Sequence, residues 1–166
     1  MATNMYLRFE QPEVTGSSTA PDHHGEIEVL AWSHGFVQPT SPSRRGGGPE
    51  TVEQATHQNL TLTKNVDSAT SELMKACWSG RQFGKATLTC FRAGANPGDK
   101  PVEYLTVVME HVIVSNYALS AAPSDLPMEN VGLDYGIVEY RYTEQKPGST
   151  PTIMSARHSL ETGTVE

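Results

Sequence analysis

The sequence predicts a mainly β fold, a small antiparallel barrel or sandwich with one α-helix on its flank. About six segments alternate apolar and polar side chains with the two-residue period of a strand. One segment repeats apolar residues at the three- and four-residue steps of a helix. The 166 residues include 14 glycines and 11 prolines, which is typical of a turn-rich chain, and the length fits one domain.

Alternating apolar residues define the predicted strands in chain order. Threonine-rich outer faces in residues 57–64 and 85–92 indicate a pleated surface that is half solvated. In residues 26–34 the alternation places four side chains on one face, namely Ile27, Val29, Ala31 and Ser33. The predicted strands span residues 4–9, 26–34, 57–64, 85–92, 102–117 and 129–143.

The longest predicted strand, residues 102–117, is apolar on both faces. Such a strand is covered on both sides, by the protein's own core on one side and by a helix or a neighbouring subunit on the other. Because this strand exposes more apolar surface than one small domain covers, we expect the chain to oligomerise through strand faces or edges. A heterologous interface of this kind closes into a ring or continues into a filament.

One helix is predicted between residues 67 and 80. Asp67, Ser68 and Thr70 offer N-cap oxygens, and Glu72 adds negative charge to the first turn. Gly80 is placed to follow the last turn. A helix of about three turns is unstable alone in water, so we expect its apolar stripe to pack on the sheet. The stripe comprises Ala69, Leu73, Met74, Ala76 and Cys77.

Three segments lack a clear period and are predicted to be irregular: residues 11–24, 36–56 and 145–166. The middle one is a proline- and glycine-rich loop of a length that is usually functional or disordered. The last one is polar, with few large apolar residues. We therefore expect a β-barrel domain over residues 1–143 and a polar C-terminal tail over residues 144–166.

Composition and charge exclude several functions. Lys and Arg total 12 and Asp and Glu total 19, so the formal net charge is −7, which argues against a nucleic-acid partner. No apolar stretch approaches the roughly 20 residues of a membrane span, and we expect no membrane insertion. The N-terminus lacks the pattern of a Sec signal peptide. Cys77 and Cys90 have no zinc or redox spacing and are expected to be reduced.

No catalytic constellation is recognisable, so the sequence predicts neither an enzyme nor a cofactor or metal site. His23 and His24 are adjacent, and their side chains point apart on an extended backbone. His34 and His111 have no placed nucleophile beside them. Residues 46–48 are three glycines without the Lys-Ser/Thr of a phosphate loop.

Residues 25–35 read GEIEVLAWSHG, an acidic-aliphatic pattern that leads into Trp-Ser. Eight shorter stretches accompany it: residues 5–7, 59–67, 74–80, 86–89, 92–94, 102–105, 112–115 and 129–135. In this order and spacing, the stretches resemble the haemolysin-coregulated proteins (Hcp) of the type VI secretion system. The resemblance covers residues 5–142.

The resemblance implies a β-barrel with a flanking helix that assembles as a hexameric ring. Rings of the family stack head to tail into a tube, which a contractile sheath expels with a spike at its tip, and they carry and chaperone small effectors. It also implies a bacterial cytoplasmic location before firing and secretion afterwards. Ser33, and with it Ala31, would line the lumen. The loop that contains Arg44, Arg45 and the glycines Gly46, Gly47 and Gly48 would contribute to ring stacking.

Three alternatives stay open at this point. The face that contains Ser33 is simply the barrel core if the lumen assignment does not hold. A small-ligand or glycan-binding β-barrel would show saturable binding within one subunit and have no role in secretion. A hydrolase or metal enzyme would use His23, His24 or His111 and would contain bound metal. The chain also departs from the family pattern in the extra prolines of residues 36–56, in Trp78 and in its tail, which is too short for a fused effector domain.

Overall fold

The computed structural model describes residues 4–40, 53–146 and 148–166. Strands dominate these residues and one helix accompanies them, so the predicted mainly β class is confirmed. The elements are β1 (Asn4–Glu10), β2 (Ile27–Glu28), β3 (Ala31–Ser33), β4 (Phe36–Val37), β5 (Thr56–His57), β6 (Leu60–Asn65), α1 (Thr70–Ser79), β7 (Gln82–Arg92), β8 (Val102–Ser120), β9 (Met128–Asp134), β10 (Ile137–Glu144), β11 (Thr152–Ser159) and β12 (Thr164–Val165).

The long strand β8 organises a ten-stranded antiparallel sheet with two branches. One branch has the order β12-β11-β10-β8-β7-β1-β2. The other leaves the C-terminal part of β8 and continues through β9 and β6 to β3. The two branches approach each other between β2 and β3, where Val29 N–H donates to the Met5 carbonyl (3.0 Å) and Leu30 N–H to the Thr63 carbonyl (2.8 Å). The strand pairs do not form one closed ladder, so closure into a barrel stays a prediction.

The helix begins and ends where the sequence indicates. Asp67 Oδ1 accepts the N–H of Ala69 (3.0 Å), and Gly80 follows the helix with a φ of 63°, donating its N–H to the Ala76 carbonyl. Glycine adopts this left-handed conformation at little energetic cost because it has no Cβ atom. The helix buries Leu73 and Ala76 in the same core as the inward side chains of both sheet branches, as predicted.

The second face of β8 is predicted to be covered by a helix or a neighbouring subunit, but its centre is buried within the single chain. Residues 106–109 are all buried. Val107 and Met109 belong to the core, whereas Val108 lies on the other face, opposite Thr87 of β7 and Glu139 of β10. This part of the strand needs no sibling copy to cover it. Farther along β8, Ile113 and Leu119 are 37% and 51% exposed, and contact of the strand with sibling copies stays a prediction.

Residues 26–34 do not form the single strand that their alternation predicts. Ile27 and Val29 are buried, as expected for one face, but Ala31 and Ser33 are exposed. Trp32 packs against the core instead. The set of residues that faces the core changes between β2 and β3, because β2 pairs with β1 whereas β3 pairs with β6. A two-residue period predicts facing only within an unbroken strand.

The C-terminal region contains more strand than predicted. Residues 129–143 are two strands, β9 and β10, separated at Tyr135 and Gly136. The prediction that residues 145–166 are irregular is wrong, because β11 pairs with β10 along its whole length and β12 pairs with the end of β11. β10 itself runs across the expected boundary between residues 143 and 144. The sequence shows no apolar alternation in β11, because only Ser159 of this edge strand is buried.

Two smaller findings complete the fold. Cys77 and Cys90 are both free thiols, and Cys90 is buried. Among the residues that the structure describes, no helix has both the length and the apolar character to cross a membrane.

Candidate functional site

The branch β3-β6-β9-β8 carries two rows of small uncharged residues on the side away from the core. The register places four residues side by side in each row, one from each strand. All are exposed or half-buried except Gly132, which has no side chain to expose. We name these eight residues the small-residue face: Ser33, Thr61, Gly132 and Asn116 in one row, and Ala31, Thr63, Asn130 and Ala118 in the other.

Hydrogen bonds hold the polar members of the small-residue face close to the sheet. Thr63 Oγ1 donates to Asn130 Oδ1 at 2.8 Å. The Ser115 hydroxyl, at the edge of the face, donates to the Gly132 carbonyl at 3.2 Å. A Cβ atom on Gly132 would lie 3.1 Å from the Cβ of Asn116, so glycine lets these two strands keep their close approach. The result is a flat strip that offers van der Waals contact and neutral hydrogen bonds, but no charge.

A buried ionic network lies beneath one end of the small-residue face. The Lys64 ammonium group contacts Glu129 (2.5 Å), Asp67 (2.8 Å) and the carbonyl of Asn65 (2.8 Å), and the Tyr117 hydroxyl donates to Glu129 (2.6 Å). Both Lys64 and Glu129 are fully buried. The network joins β6, β9 and β8 to the segment that starts the helix.

Protonation equilibria in this network follow from burial and hydrogen bonding. Burial acts to raise the pKa of Glu129, but hydrogen bonds from Lys64, Thr70 and Tyr117 outweigh it and hold the pKa below its ordinary value. Burial first, and then the hydrogen bond to the Glu129 carboxylate, raise the pKa of Tyr117. The carboxylate therefore stays ionised and the phenol stays protonated at neutral pH.

The opposite branch, β1-β7-β8-β10-β11, presents a different outer face. Glu139 pairs with Arg141 (2.7 Å) and lies 3.9 Å from Arg157, which also contacts Glu110 (3.5 Å). The hydrogen bond from Arg141 lowers the pKa of Glu139. We name this surface the charged face; its members are Arg8, Glu10, Lys85, Glu110, Glu139, Arg141 and Arg157.

The residues predicted to line a lumen do lie on one exposed surface. Ala31 and Ser33 are neighbours on the small-residue face, and both are exposed. The alternative that they belong to the core is wrong. Arg44, Arg45 and Gly46–Gly48, the predicted stacking residues, lie outside the described residues. The two ends of their segment pair as the ribbon β4–β5, with Phe36 opposite His57.

The histidines weighed for catalysis are not brought together. His23 is half-buried rather than solvated: its ring stacks on Tyr6 at 4.4 Å and its Nδ1 lies 2.9 Å from Glu26. His111 pairs with Glu161 on the surface. Among residues 4–40, 53–146 and 148–166, no three His, Cys, Asp or Glu side chains are spaced to hold a metal ion.

Sequence reasoning missed a cluster that joins His34 to His57, Tyr135, Tyr140 and His158. Its members come from separate segments between residues 34 and 158, and no local motif links them. The only available signal was that His34 ends its predicted strand. The charged face was missed for the same reason, because its pairs form across strands.

Comparison with known proteins identifies the family. The family model described as "Type VI secretion system effector, Hcp" matches residues 6–142. Protein hcp1 of Pseudomonas aeruginosa is 37% identical over 147 residues, which cover 88% of this chain and 86% of that protein. The chain belongs to the Hcp family. The resemblance seen in the sequence is thereby confirmed, and this Hcp chain is a protein of the type VI secretion system.

Solved structures agree with this assignment. A structure described as that of a type six secretion system protein is 26% identical, with a TM-score of 0.84, and the match covers 99% of this Hcp chain and 100% of the other. Hcp1 from Salmonella typhimurium is 24% identical with a TM-score of 0.80, and both chains are covered completely. At that identity the second match shows the shared fold alone.

Proposed function

We propose that this Hcp chain is a non-enzymatic subunit of the type VI secretion inner tube. In this proposal six copies form a ring, the small-residue face lines its lumen, and rings stack head to tail. One observation carries the proposal: Ser33 and Ala31, which the family resemblance directs towards the lumen, are exposed on a continuous uncharged strip. The spike, the contractile sheath and small effectors are the expected partners, without nucleic acid or membrane insertion.

The chemistry of the small-residue face suits a passage that holds cargo loosely. A binding pocket gains specificity from a few placed charged or polar groups in a concave site. The small-residue face has no charged member, and one of its threonine side chains, Thr63, already donates to Asn130. Weak contacts of this kind let effectors of different sequence be retained and then released.

Exposed apolar side chains support contacts between copies. β11 is an edge strand, and along residues 152–156 it has no partner on its outer side in the single chain. Ile153 and Met154 are 67% and 52% exposed there. Trp78, at the end of α1, is 80% exposed. Open edges and exposed aromatic residues are typical of surfaces that another chain covers.

The stacking role of residues 44–48 and the location before and after firing rest on the family resemblance. We propose that the segment between β4 and β5 reaches the next ring. We also propose that the protein assembles in the bacterial cytoplasm and leaves the cell through the type VI system.

A pair of substitutions tests the lumen assignment. Ser33→Arg places a long charged side chain on the small-residue face, and Ala95→Arg places the same side chain in the exposed loop between β7 and β8. We expect Ser33→Arg to leave rings intact in negative-stain images but to lower the amount of a co-produced small effector that elutes with them. Ala95→Arg should retain both rings and effector.

Two outcomes would contradict the proposal. If rings disappear in Ser33→Arg but persist in Ala95→Arg, then Ser33 lies in a subunit contact and not in the lumen. If both variants retain the effector equally, the small-residue face does not touch cargo.

A further inference from the structure

The ribbon β4–β5 is a separate two-stranded sheet that has no ladder to the ten-stranded sheet. It extends the β3–β6 pair beyond a break, where Gln58 N–H donates to the Gly35 carbonyl at 2.9 Å. Its described side-chain contacts with the strands opposite run through one cluster. The ribbon's orientation therefore depends on side chains rather than on a backbone ladder.

This cluster is a continuous chain of hydrogen bonds. The Tyr140 hydroxyl lies 2.5 Å from Nδ1 of His34, and the Tyr135 hydroxyl lies 2.7 Å from both Nε2 of His34 and Nδ1 of His57. Nε2 of His57 lies 2.7 Å from Nδ1 of His158. We name these five side chains the His–Tyr chain. It joins His34 and His57, at the ends of the ribbon strands, to the β9–β10 junction, β10 and β11.

Aromatic packing reinforces the same contact. The ring of Phe36 lies 4.6 Å from the rings of His34 and His57 and 6.0 Å from the ring of Tyr140. The rings of His57 and His158 are 4.7 Å apart. The ribbon is thus held in one place by rings that pack edge-to-face or tilted and are joined by hydrogen bonds.

Proton counting shows how the His–Tyr chain responds to acid. A neutral imidazole has one donor and one acceptor, and a phenol has one donor, so all contacts are satisfied when every bond points the same way. One added proton in the His57–His158 pair is accommodated, because the bonds can then run outward from the charged ring. When both rings of the pair are protonated, two N–H groups face each other across 2.7 Å. That contact must then open.

Within residues 4–40, 53–146 and 148–166, the charged groups near the His–Tyr chain are engaged elsewhere. Asp134 uses Oδ1 to accept the N–H of Tyr135, and Cys90 is the thiol near Tyr140. On the remaining sides, β12 places Val165 opposite His158, and the neighbouring Arg157 turns to Glu110 and Glu139 on the other face. Among the described residues, no carboxylate bonds to a side chain of the cluster.

Burial gives the expected direction of titration. Burial lowers the pKa of His34 to about 4, partly opposed by a backbone hydrogen bond with Gln58 and reinforced by His57. Burial, and then the nearby His158, lower the pKa of His57. Histidines that are buried neutral stabilise the closed form above their ordinary pKa of about 6.5, and this stabilisation is lost as the pH falls towards the lowered values. The tyrosines stay protonated throughout, since burial raises the pKa of Tyr140 to about 12.

We infer that the His–Tyr chain is an acid-sensitive contact: a second proton opens the His57–His158 hydrogen bond and releases the ribbon β4–β5 from the strands opposite. The release is local, because the core of the sheet contains no histidine. It requires no change in oligomeric state, so it stands whether or not the chain forms rings.

Hydrogen–deuterium exchange on the full chain, corrected for intrinsic rates, tests this inference at pH values of about 7 and about 4.5. In the wild type we expect amides of residues 36–37 and 53–58, in and beside the ribbon, to lose at least about tenfold in protection at the lower pH, the effect of one linked proton over one pH unit. Amides of residues 82–92, in the sheet core, should keep theirs.

Two variants separate the His–Tyr chain from general acid effects. His158→Asn keeps a polar group near the Nδ1 position but does not titrate, so the ribbon should stay protected at pH about 4.5. His111→Asn removes a surface histidine whose φ of 54° asparagine tolerates, and its ribbon should open as in the wild type. The inference is overturned if the wild-type ribbon keeps its protection in acid, if residues 82–92 lose theirs equally, or if His158→Asn opens like the wild type. If His158→Asn fails to fold, the wild-type peptides still decide between local opening and none.

Discussion

The small-residue face and the charged face lie on the same sheet and share strand β8, yet they are built in opposite ways. On the charged face, arginines and glutamates interlock across β10 and β11, so its polar groups are already paired. On the small-residue face, the side chains are short and uncharged, so they cover little of the backbone beneath them. One strand thus supports both a surface whose charged groups are already paired with each other and a surface of short neutral side chains.

The change from one face to the other occurs at irregular points of β8. Thr106 and Glu110 lie on the charged side, and Asn116 lies on the small side. Between them His111 has a φ of 54°, and the register with β9 shifts between Val114 and Asn116. Bulges of this kind turn a strand and redirect its side chains. The break in regularity thus separates two kinds of surface along one element.

The largest expected difference between the two regions concerns the ion pairs associated with them. Glu129→Gln removes the fully buried one of the two carboxylate partners of Lys64 and leaves Asp67, and it should cost about 3 kcal/mol of the free energy of unfolding, because breaking a buried ion pair is expensive. Glu139→Gln, on the charged face, removes a partly exposed pair and should cost about 1 kcal/mol or less. Urea unfolding of the two variants measures both values. Equal losses would contradict the distinction.

A smaller effect is expected within the small-residue face. Gly132→Val would press a side chain against the Cβ of Asn116 and should cost about 1–3 kcal/mol through overpacking. Ala118→Val, at an exposed position of the same face, should cost about 0.5 kcal/mol or less. Thermal unfolding of the pair is the measurement. If Ala118→Val proves the more destabilising, the close approach of β8 and β9 is not what requires glycine.

Much of the fold could be predicted because its signals are local. The alternation in residues 85–92 corresponds to β7, and the spacing around Leu73 corresponds to the helix that buries it. Gly80 marked the end of that helix correctly. These features depend on neighbours within a few positions, which a sequence displays directly.

The remaining features depend on partners that are distant in sequence. The exposure of Ala31 and Ser33 could not be predicted from alternation. The side chains that face the core change phase where the pairing partner of this segment changes from β1 to β6. β11 has little apolar signal because it is an edge strand. His57 and His158 meet across 101 positions. Only the family resemblance, not the period, assigned Ser33 to an exposed surface.

Electron cryomicroscopy of the purified protein tests the central proposal most directly. We predict closed rings with a central hole, in which Ala31 and Ser33 border the hole. A monodisperse monomer at micromolar concentration, or a ring whose hole is bordered by Glu139 and Arg141 instead, would contradict it.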